Sequence, residues 1–128
     1  MDQAQKAVII KPWNSVHAII ELQLRLELFS VKSYEDHLIA LSELPQLVMK
    51  PDLIVIDLTV KNLPSIVAGI QSCCPNVRLI VLVDEKETKL AEDIRRLHNT
   101  HVLFKPFTVK TLLDLVRGDI YVEPTETN

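Results

Sequence analysis

The sequence predicts a single α/β domain: a doubly wound sheet of five parallel strands with helices on both faces. Two observations lead to this fold class. Short runs rich in Val, Ile and Leu recur without strict alternation, which is typical of strands buried on both faces. Helix-length segments separate these runs, and strands that alternate with helices favour a parallel sheet. The 128 residues are enough for one domain with a substantial core.

Four apolar runs and one mixed segment are the predicted strands. The strongest run is Asp52–Leu58 (DLIVIDL), which is almost wholly apolar. The weakest is Ser30–Tyr34 (SVKSY), where polar and apolar residues mix. The remaining three strands are predicted at Lys6–Ile10, Arg78–Val83 and His101–Phe104.

Four segments between the strands show the apolar spacing or the end signals of helices. Proline lacks the backbone N–H that a helix interior needs, so Pro45 is expected to shorten or kink the first of them. Thr108 is predicted to cap the last of them and Gly118 to end it. In chain order the four predicted helices are Asp36–Met49, Leu63–Cys74, Glu87–His98 and Thr108–Arg117.

The segment Glu21–Leu28 (ELQLRLEL) alternates strictly between polar and apolar residues, which by pattern alone indicates a strand. Its residues are nearly all strong helix formers, and none is β-branched. A crossover between the first two parallel strands also requires a helix at about this place. We therefore predict a helix here.

Composition excludes several classes of protein. The net charge of -3 provides no basic excess for direct nucleic-acid contact. No apolar run approaches the roughly 18 residues of a membrane span, and the first residues do not resemble a signal peptide. The adjacent Cys73 and Cys74 have the spacing of neither a zinc site nor a disulfide framework, so we expect a cytoplasmic protein. The domain is predicted to cover residues 1–121, and residues 122–128 are expected to be a disordered tail or the start of a linker.

Functional sites of open parallel sheets lie at the carboxyl ends of the strands. The residues predicted to meet there include one acidic residue after the third strand, Asp57, and one lysine after the fifth, Lys105. The other candidates at this edge are Lys11, Pro12, Val83, Asp84 and Pro106.

Three segments resemble the receiver domains of response regulators in two-component signalling. Lys50–Leu58 (KPDLIVIDL) resembles their third strand, and Val102–Phe107 (VLFKPF) resembles their fifth. Phe29–Leu41 (FSVKSYEDHLIAL) resembles their second strand and second helix, and the resemblance covers the chain up to Arg117. It implies the strand order 2-1-3-4-5 of receiver and flavodoxin-like folds.

The resemblance also assigns roles to individual residues. It places the phosphate-accepting aspartate at Asp57 and the family's site lysine at Lys105, followed by a cis proline at Pro106. The family's two acidic residues, which help to bind Mg²⁺, are replaced here by Lys11 and Pro12. Because Mg²⁺ requires oxygen ligands, we expect magnesium binding to be lost and no cofactor to bind.

Two further departures affect the phosphoryl group and its readout. The family's Ser or Thr at the end of the fourth strand corresponds here to Val83 or Asp84, neither of which offers a hydroxyl donor. The family's inward-turning aromatic residue on the fifth strand corresponds to Val102. This sequence is therefore identified as an atypical member of the receiver family.

Three functions follow as alternatives. The first is a non-enzymatic signalling module that binds a protein partner or itself independently of phosphorylation, with Asp57 held as a structural ion pair by Lys105 and Lys11. The second is a functional phosphoreceiver that accepts phosphate on Asp57 from a histidine kinase or phosphotransfer protein. The third, a flavodoxin-like cofactor binder, is disfavoured because the chain has only 2 Gly and no phosphate loop after the first strand.

Related domains use the surface of helix four, strand five and helix five for partners, and a homodimer through this surface is one expectation. A solvated charged face is the alternative. Trp13 is expected either to pack over the former metal site or to anchor a partner. The residues predicted for the surface are Arg95, Arg96, Lys110 and Arg117, with His98 and Asp114 beside them.

Overall fold

The structure is a computed structural model that describes residues 5–11 and 17–118. Its strands all pair in parallel, in the order β2-β1-β3-β4-β5. This confirms the predicted fold class and strand order. The strands are β1 (Lys6–Ile10), β2 (Ser30–Tyr34), β3 (Leu53–Ile56), β4 (Arg78–Asp84) and β5 (Thr100–Lys105), and the helices are α1 (His17–Leu26), α2 (His37–Glu43), α3 (Leu63–Cys73), α4 (Thr88–Arg95) and α5 (Val109–Arg117).

The first two strands match the predicted bounds, whereas β3 is shorter than predicted. Asp52 falls just before β3, and its carboxylate accepts a hydrogen bond from the backbone N–H of Lys6 at 2.8 Å, which ties the start of β1 to the start of β3. Asp57 and Leu58 fall after β3, at the carboxyl edge of the sheet. Both β4 and β5 extend beyond their predicted ends, to Asp84 and Lys105.

The predicted helix 36–49 is too long. α2 ends at Glu43, and a 3-10 turn with Pro45 at its start follows it over Leu44–Gln46. The ammonium of Lys50 then donates to the carbonyl oxygens of Leu44, Pro45 and Leu47 at 2.8–3.1 Å, which satisfies groups that a continued helix would have bonded. Pro45 and the hydrogen bonds from Lys50 together end α2 earlier than predicted.

The other helices agree more closely with the prediction. α3 matches, while α4 is shorter than predicted at both ends. Thr108 caps α5 by accepting a hydrogen bond from the N–H of Thr111 at 3.1 Å, and Gly118 ends it with a left-handed φ of 74°. The guanidinium of Arg78 donates to the carbonyls of Leu115 and Val116, so the start of β4 holds the end of α5.

The alternating segment is a helix, as predicted, and forms most of α1. Residues two apart in a helix are separated by about 200° around its axis, so strict alternation puts leucines on both sides of it. Leu24 is fully buried, whereas Leu22 is 55% exposed and Leu26 is 64% exposed. Only one of the two rows of leucines on α1 packs into the core.

The core consists of two layers, one on each face of the sheet. One layer packs α2, α3 and α4 against alternate strand residues, and the other packs α1 and α5 against the remaining ones. The strands are therefore buried on both faces, which explains their near-continuous apolar composition. None of the described helices has the length and apolar character needed to cross a membrane.

Candidate functional site

Asp57 lies at the carboxyl end of β3, in the middle of the sheet. Its backbone N–H donates to the carbonyl of Ile10 at 2.7 Å, which continues the pairing of β3 with β1 by one residue. Asp57 is only 4% exposed. A buried carboxylate needs a partner, because an isolated charge away from water is strongly unfavourable.

Lys105 supplies that partner. Its Nζ lies 2.8 Å from Oδ1 of Asp57, and the Lys105 side chain is 33% exposed. β4 lies between β3 and β5, so the lysine reaches across the end of β4. The peptide bond between Lys105 and Pro106 is cis.

Lys11 follows β1 directly beside Asp57. Ile10 pairs with Ile56, so Lys11 and Asp57 are the next residues on two adjacent strands, about 5 Å apart in the backbone. Lys11 is 1% exposed, and its N–H donates to the carbonyl of Tyr34 at 3.0 Å. Within residues 5–11 and 17–118, Lys11 and Asp57 are the buried polar or charged residues. A buried cation and a buried anion thus lie side by side.

Val83 and Asp84 lie in different surroundings at the end of β4. Asp84 pairs with Lys105, whereas Val83 is 2% exposed and belongs to the core. The carboxylate of Asp84 accepts a hydrogen bond from the N–H of Lys86 at 2.9 Å and is exposed. The end of β4 therefore presents an exposed carboxylate at the edge of the sheet.

An open cleft of about 750 Å³ adjoins the ion pair. Three lysines line it together with two acidic residues and apolar side chains. Sequence analysis missed Lys61 and Lys86, because both lie in loops with no motif and only the fold brings them together. The lining includes Lys61, Asp84, Lys86, Glu87 and Lys105, over a floor formed by Leu58, Leu82 and Val83.

The described residues at this edge supply two carboxylates as oxygen ligands, those of Asp57 and Asp84. In the described part of the chain, no group of three or more His, Cys, Asp or Glu side chains is placed to hold a metal ion. Lys11, which is 1% exposed, follows β1 next to Asp57, and its side chain offers no oxygen ligand. A hard cation needs oxygen ligands here.

Comparison with known proteins gives matches at the level of structure alone. No protein-family model matches the sequence, and no curated protein matches it. Chemotaxis response regulator CheY4 of Vibrio cholerae superposes with a TM-score of 0.75 at 18% identity, covering 92% of this chain and 100% of that one. A response regulator receiver domain protein from Clostridium thermocellum gives a TM-score of 0.78 at 16% identity, covering 89% of this chain and 92% of that one.

The chain has the receiver fold. A third structure supports this: the receiver domain of a sensor histidine kinase from Pseudomonas aeruginosa, with a TM-score of 0.73, 21% identity, and coverage of 91% of this chain and 97% of that one. That structure holds a magnesium ion coordinated in its active site cleft. Identities this low establish the fold, and the chemistry of the site must be derived from the residues of this chain.

In this receiver fold, the structure brings Lys11, Asp57, Asp84 and Lys105 to one edge of the sheet, as predicted. Pro12 and Trp13 lie outside the described residues, as do the predicted domain boundary at residue 121 and the tail at residues 122–128. Val102 is partly buried and packs against the core, so the residue at the family's aromatic position is part of the packing.

The four basic residues predicted for the partner surface have different contacts in the structure. The guanidinium of Arg95 lies 5.3 Å from the centre of the Phe104 ring on the edge strand β5. Arg96 follows it and lies 3.6 Å from the carboxylate of Asp93. Lys110 pairs with Asp114 along α5 at 2.8 Å. Arg117 lies elsewhere, since its guanidinium donates to Glu27 at the end of α1. The sequence pattern of α5 could not reveal this, because Glu27 is remote in the chain.

Proposed function

We propose that this chain is an atypical receiver domain that acts in signal transduction by binding a protein partner, without accepting a phosphoryl group. The observation that supports this most is Lys11, which is 1% exposed at the strand end next to Asp57. Phosphoryl transfer depends on positioning and on neutralisation of charge by a metal ion. A lysine side chain in that position supplies no oxygen ligand for the metal.

The ion pair supports a structural role for Asp57. Its carboxylate is 6% exposed and already contacts Lys105 at 2.8 Å. A carboxylate held in this way stabilises the end of the sheet, where β1, β3 and β5 all deliver charged residues. The protein then functions as a non-enzymatic module whose surface, rather than its strand-end chemistry, carries the signal.

The partner surface in this proposal is the edge formed by α4, β5 and α5. It presents two exposed arginines at the end of α4 and an exposed lysine on α5, along β5, which is the outermost strand at this edge among the described strands. Arginine over an aromatic ring, as with Arg95 and Phe104, is a common element of protein interfaces. A second copy of the chain is one candidate partner.

A phosphoreceiver is the second candidate function, and one observation favours it. Lys61 and Lys86 line the cleft beside Asp84 and Lys105. Ammonium groups in a cleft attract the charge of a phosphoryl group, so these lysines supply part of the neutralisation that Mg²⁺ supplies elsewhere.

Incubation of the full chain with acetyl phosphate, with and without Mg²⁺, distinguishes the two functions. Intact-mass spectrometry under conditions that preserve acyl phosphates measures phosphoryl addition, and Asp57→Asn is the matched control. The proposal expects no addition of one phosphoryl mass in either protein. Addition that disappears in Asp57→Asn would establish the phosphoreceiver instead, and its dependence on Mg²⁺ would show how the charge is neutralised.

A further inference from the structure

The cleft beside the ion pair has the size and the position of a small-molecule site. Its volume of about 750 Å³ lies within the range of about 300–1,000 Å³ that is typical of such sites. Leu58–Lys61, in the loop after β3, line one side. The end of β4, the turn after it and the start of α4 line the other side. Both sides lie at the carboxyl edge of the parallel sheet, where open sheets of this kind bind their ligands.

Apolar side chains connect these two sides. Leu82 and Val83 of β4 are almost completely buried and belong to the core, and they form part of the lining. Val60 on one side and Leu90 on the other are only partly buried, and both pack against the core. An apolar group bound between them removes this carbon surface from water, which favours binding. The cleft therefore suits a ligand with an apolar side chain.

The side formed by the loop after β3 provides a cation and a hydroxyl. Lys61 is exposed in the turn before α3, and its ammonium forms no hydrogen bond or ion pair among residues 5–11 and 17–118. Thr59, two residues earlier in the same loop, is also exposed. Lys105 lines the cleft as well, but its ammonium already contacts Asp57 at 2.8 Å. Because ammonium and hydroxyl groups donate hydrogen bonds, this side suits the carboxylate of a ligand.

The side formed by the end of β4 and the start of α4 carries an excess of negative charge. Asp84, Lys86 and Glu87 are all exposed there. One carboxylate oxygen of Asp84 accepts the backbone N–H of Lys86 at 2.9 Å, and the side chain of Glu87 does not cap α4. With two carboxylates against one lysine, this side suits the ammonium group of a ligand.

We propose that this cleft binds a free α-amino acid with an apolar side chain. The carboxylate of the ligand pairs with Lys61, its ammonium pairs with Asp84 and Glu87, and its side chain packs on the apolar lining. A zwitterion matches the opposite charges of the two sides, whereas a phosphate ester or a simple acid brings negative charge alone to a cleft that already holds carboxylates. The site requires neither a metal ion nor a reaction at Asp57, so this inference goes beyond the proposed function and does not depend on it.

Titration of the full chain with four probes at pH 6 tests each part of the ligand. At this pH free α-amino groups are protonated and exposed carboxylates are ionised. L-Phenylalanine should cause saturable changes in the amide NMR shifts of the cleft residues. Glycine lacks the apolar side chain, N-acetyl-L-phenylalanine lacks the ammonium and L-phenylalaninamide lacks the carboxylate, so each should bind at least about tenfold more weakly. Equal affinity for any of these three, or no saturable change with L-phenylalanine, would overturn the proposal.

A lysine substitution tests the contact with the ligand carboxylate. Lys61→Gln should raise the dissociation constant of L-phenylalanine about tenfold and leave that of L-phenylalaninamide unchanged, because the amide has no carboxylate to lose its partner. Lys89→Gln neutralises an exposed lysine of α4 outside the described lining, and as the matched control it should change neither constant. Equal effects of the two substitutions, or an equal loss of affinity for both ligands, would contradict the assignment of Lys61.

Substitution of the two acidic residues tests the contact with the ligand ammonium. Asp84→Asn with Glu87→Gln should raise the dissociation constant of L-phenylalanine about tenfold without weakening the binding of N-acetyl-L-phenylalanine. Glu92→Gln with Asp93→Asn is the control, because it neutralises two carboxylates of α4 outside the described lining. The proposal fails if the control has the same effect or if both ligands lose affinity together.

Discussion

The ammonium of Lys105 and the carboxylate of Asp57 are 2.8 Å apart, although their strands are not neighbours. β4 separates them, and the side chain of Lys105 reaches across its end. The carboxylate is 6% exposed and the lysine 33% exposed, so the pair joins a buried anion to a cation that keeps part of its hydration. Because it is more deeply buried, the carboxylate of Asp57 depends more on this ion pair than the ammonium of Lys105 does.

Removal of the carboxylate should destabilise the protein. Asp57→Ala leaves the buried Lys11 next to an uncharged neighbour and Lys105 without its partner, so we expect a loss of about 2–3 kcal/mol in the free energy of unfolding, moderated by the exposure of Lys105. Urea denaturation measures it. Asp93→Ala, which removes an exposed carboxylate of α4, is the control and should change the value by less than about 0.5 kcal/mol.

The same Asp57 variant also tests its signalling role. Because no phosphoryl group is accepted on Asp57 in the proposed function, folded Asp57→Ala should retain the output measured in a reporter of the parent pathway. A variant that unfolds at the wild-type urea concentration and yet loses the output would contradict the structural role and restore Asp57 as a switch.

Magnesium should not stabilise the wild-type chain, but one substitution should create a response. Lys11→Asp places a second carboxylate beside Asp57, which repels it and lowers the melting temperature in the absence of metal. Millimolar Mg²⁺ should then restore part of that loss, because two adjacent carboxylates supply oxygen ligands. Thermal scans with Mg²⁺ and with NaCl of equal ionic strength measure this. Stabilisation of the wild type by Mg²⁺ alone would show that Lys11 does not exclude the metal.

Charge reversal on α4 should weaken association through the proposed partner surface. Arg95→Glu with Arg96→Glu removes the cation over Phe104 and introduces repulsion, so the dissociation constant of a homodimer should rise about tenfold in sedimentation experiments. Lys32→Glu on β2, at the opposite edge of the sheet, is the control and should leave the constant unchanged. Equal effects of the two changes would place the interface elsewhere, and a monomeric wild type would leave only a different protein as partner.

Acid should destabilise the edge of the sheet at Glu43. The hydroxyl of Tyr34 donates to this carboxylate at 2.8 Å, and with Lys32 it lowers the pKa of Glu43 from its usual 4.5. The resulting stabilisation is fully present above pH 4.5 and is lost as the pH falls through the lower folded-state pKa. Glu43→Gln should therefore lose less stability than wild type between pH 6 and pH 3, as measured by urea midpoints.

Glu92→Gln, which neutralises an exposed carboxylate on α4, is the control for the acid experiment and should follow the wild-type curve. Identical acid responses of Glu43→Gln and wild type would mean that the hydrogen bond from Tyr34 does not favour the ionised form in solution.

The sequence by itself determined the strands, the helices and their order. Strand and helix signals are local: an apolar run such as that before Asp57 indicates a strand buried on both faces, and Thr108 and Gly118 mark the ends of a helix whichever surface it packs against. Even α1 followed from helix propensity and the need for a crossover, against its alternating pattern. The resemblance to receiver domains added the strand order, which the apolar pattern alone leaves open.

Only the tertiary structure decided how these residues meet. The sequence predicted that Lys105 pairs with Asp57, and the structure adds the 2.8 Å geometry. The pairing of Asp84 with Lys105 between β4 and β5 and the contact of Arg117 with Glu27 join residues far apart in the chain and come from the fold alone. Such contacts depend on strand register and on the packing of helices against the sheet, and neither leaves a local signal. The leucines of α1 are a further example. Their spacing predicts two rows on the helix, and only packing against the sheet determines which row is buried.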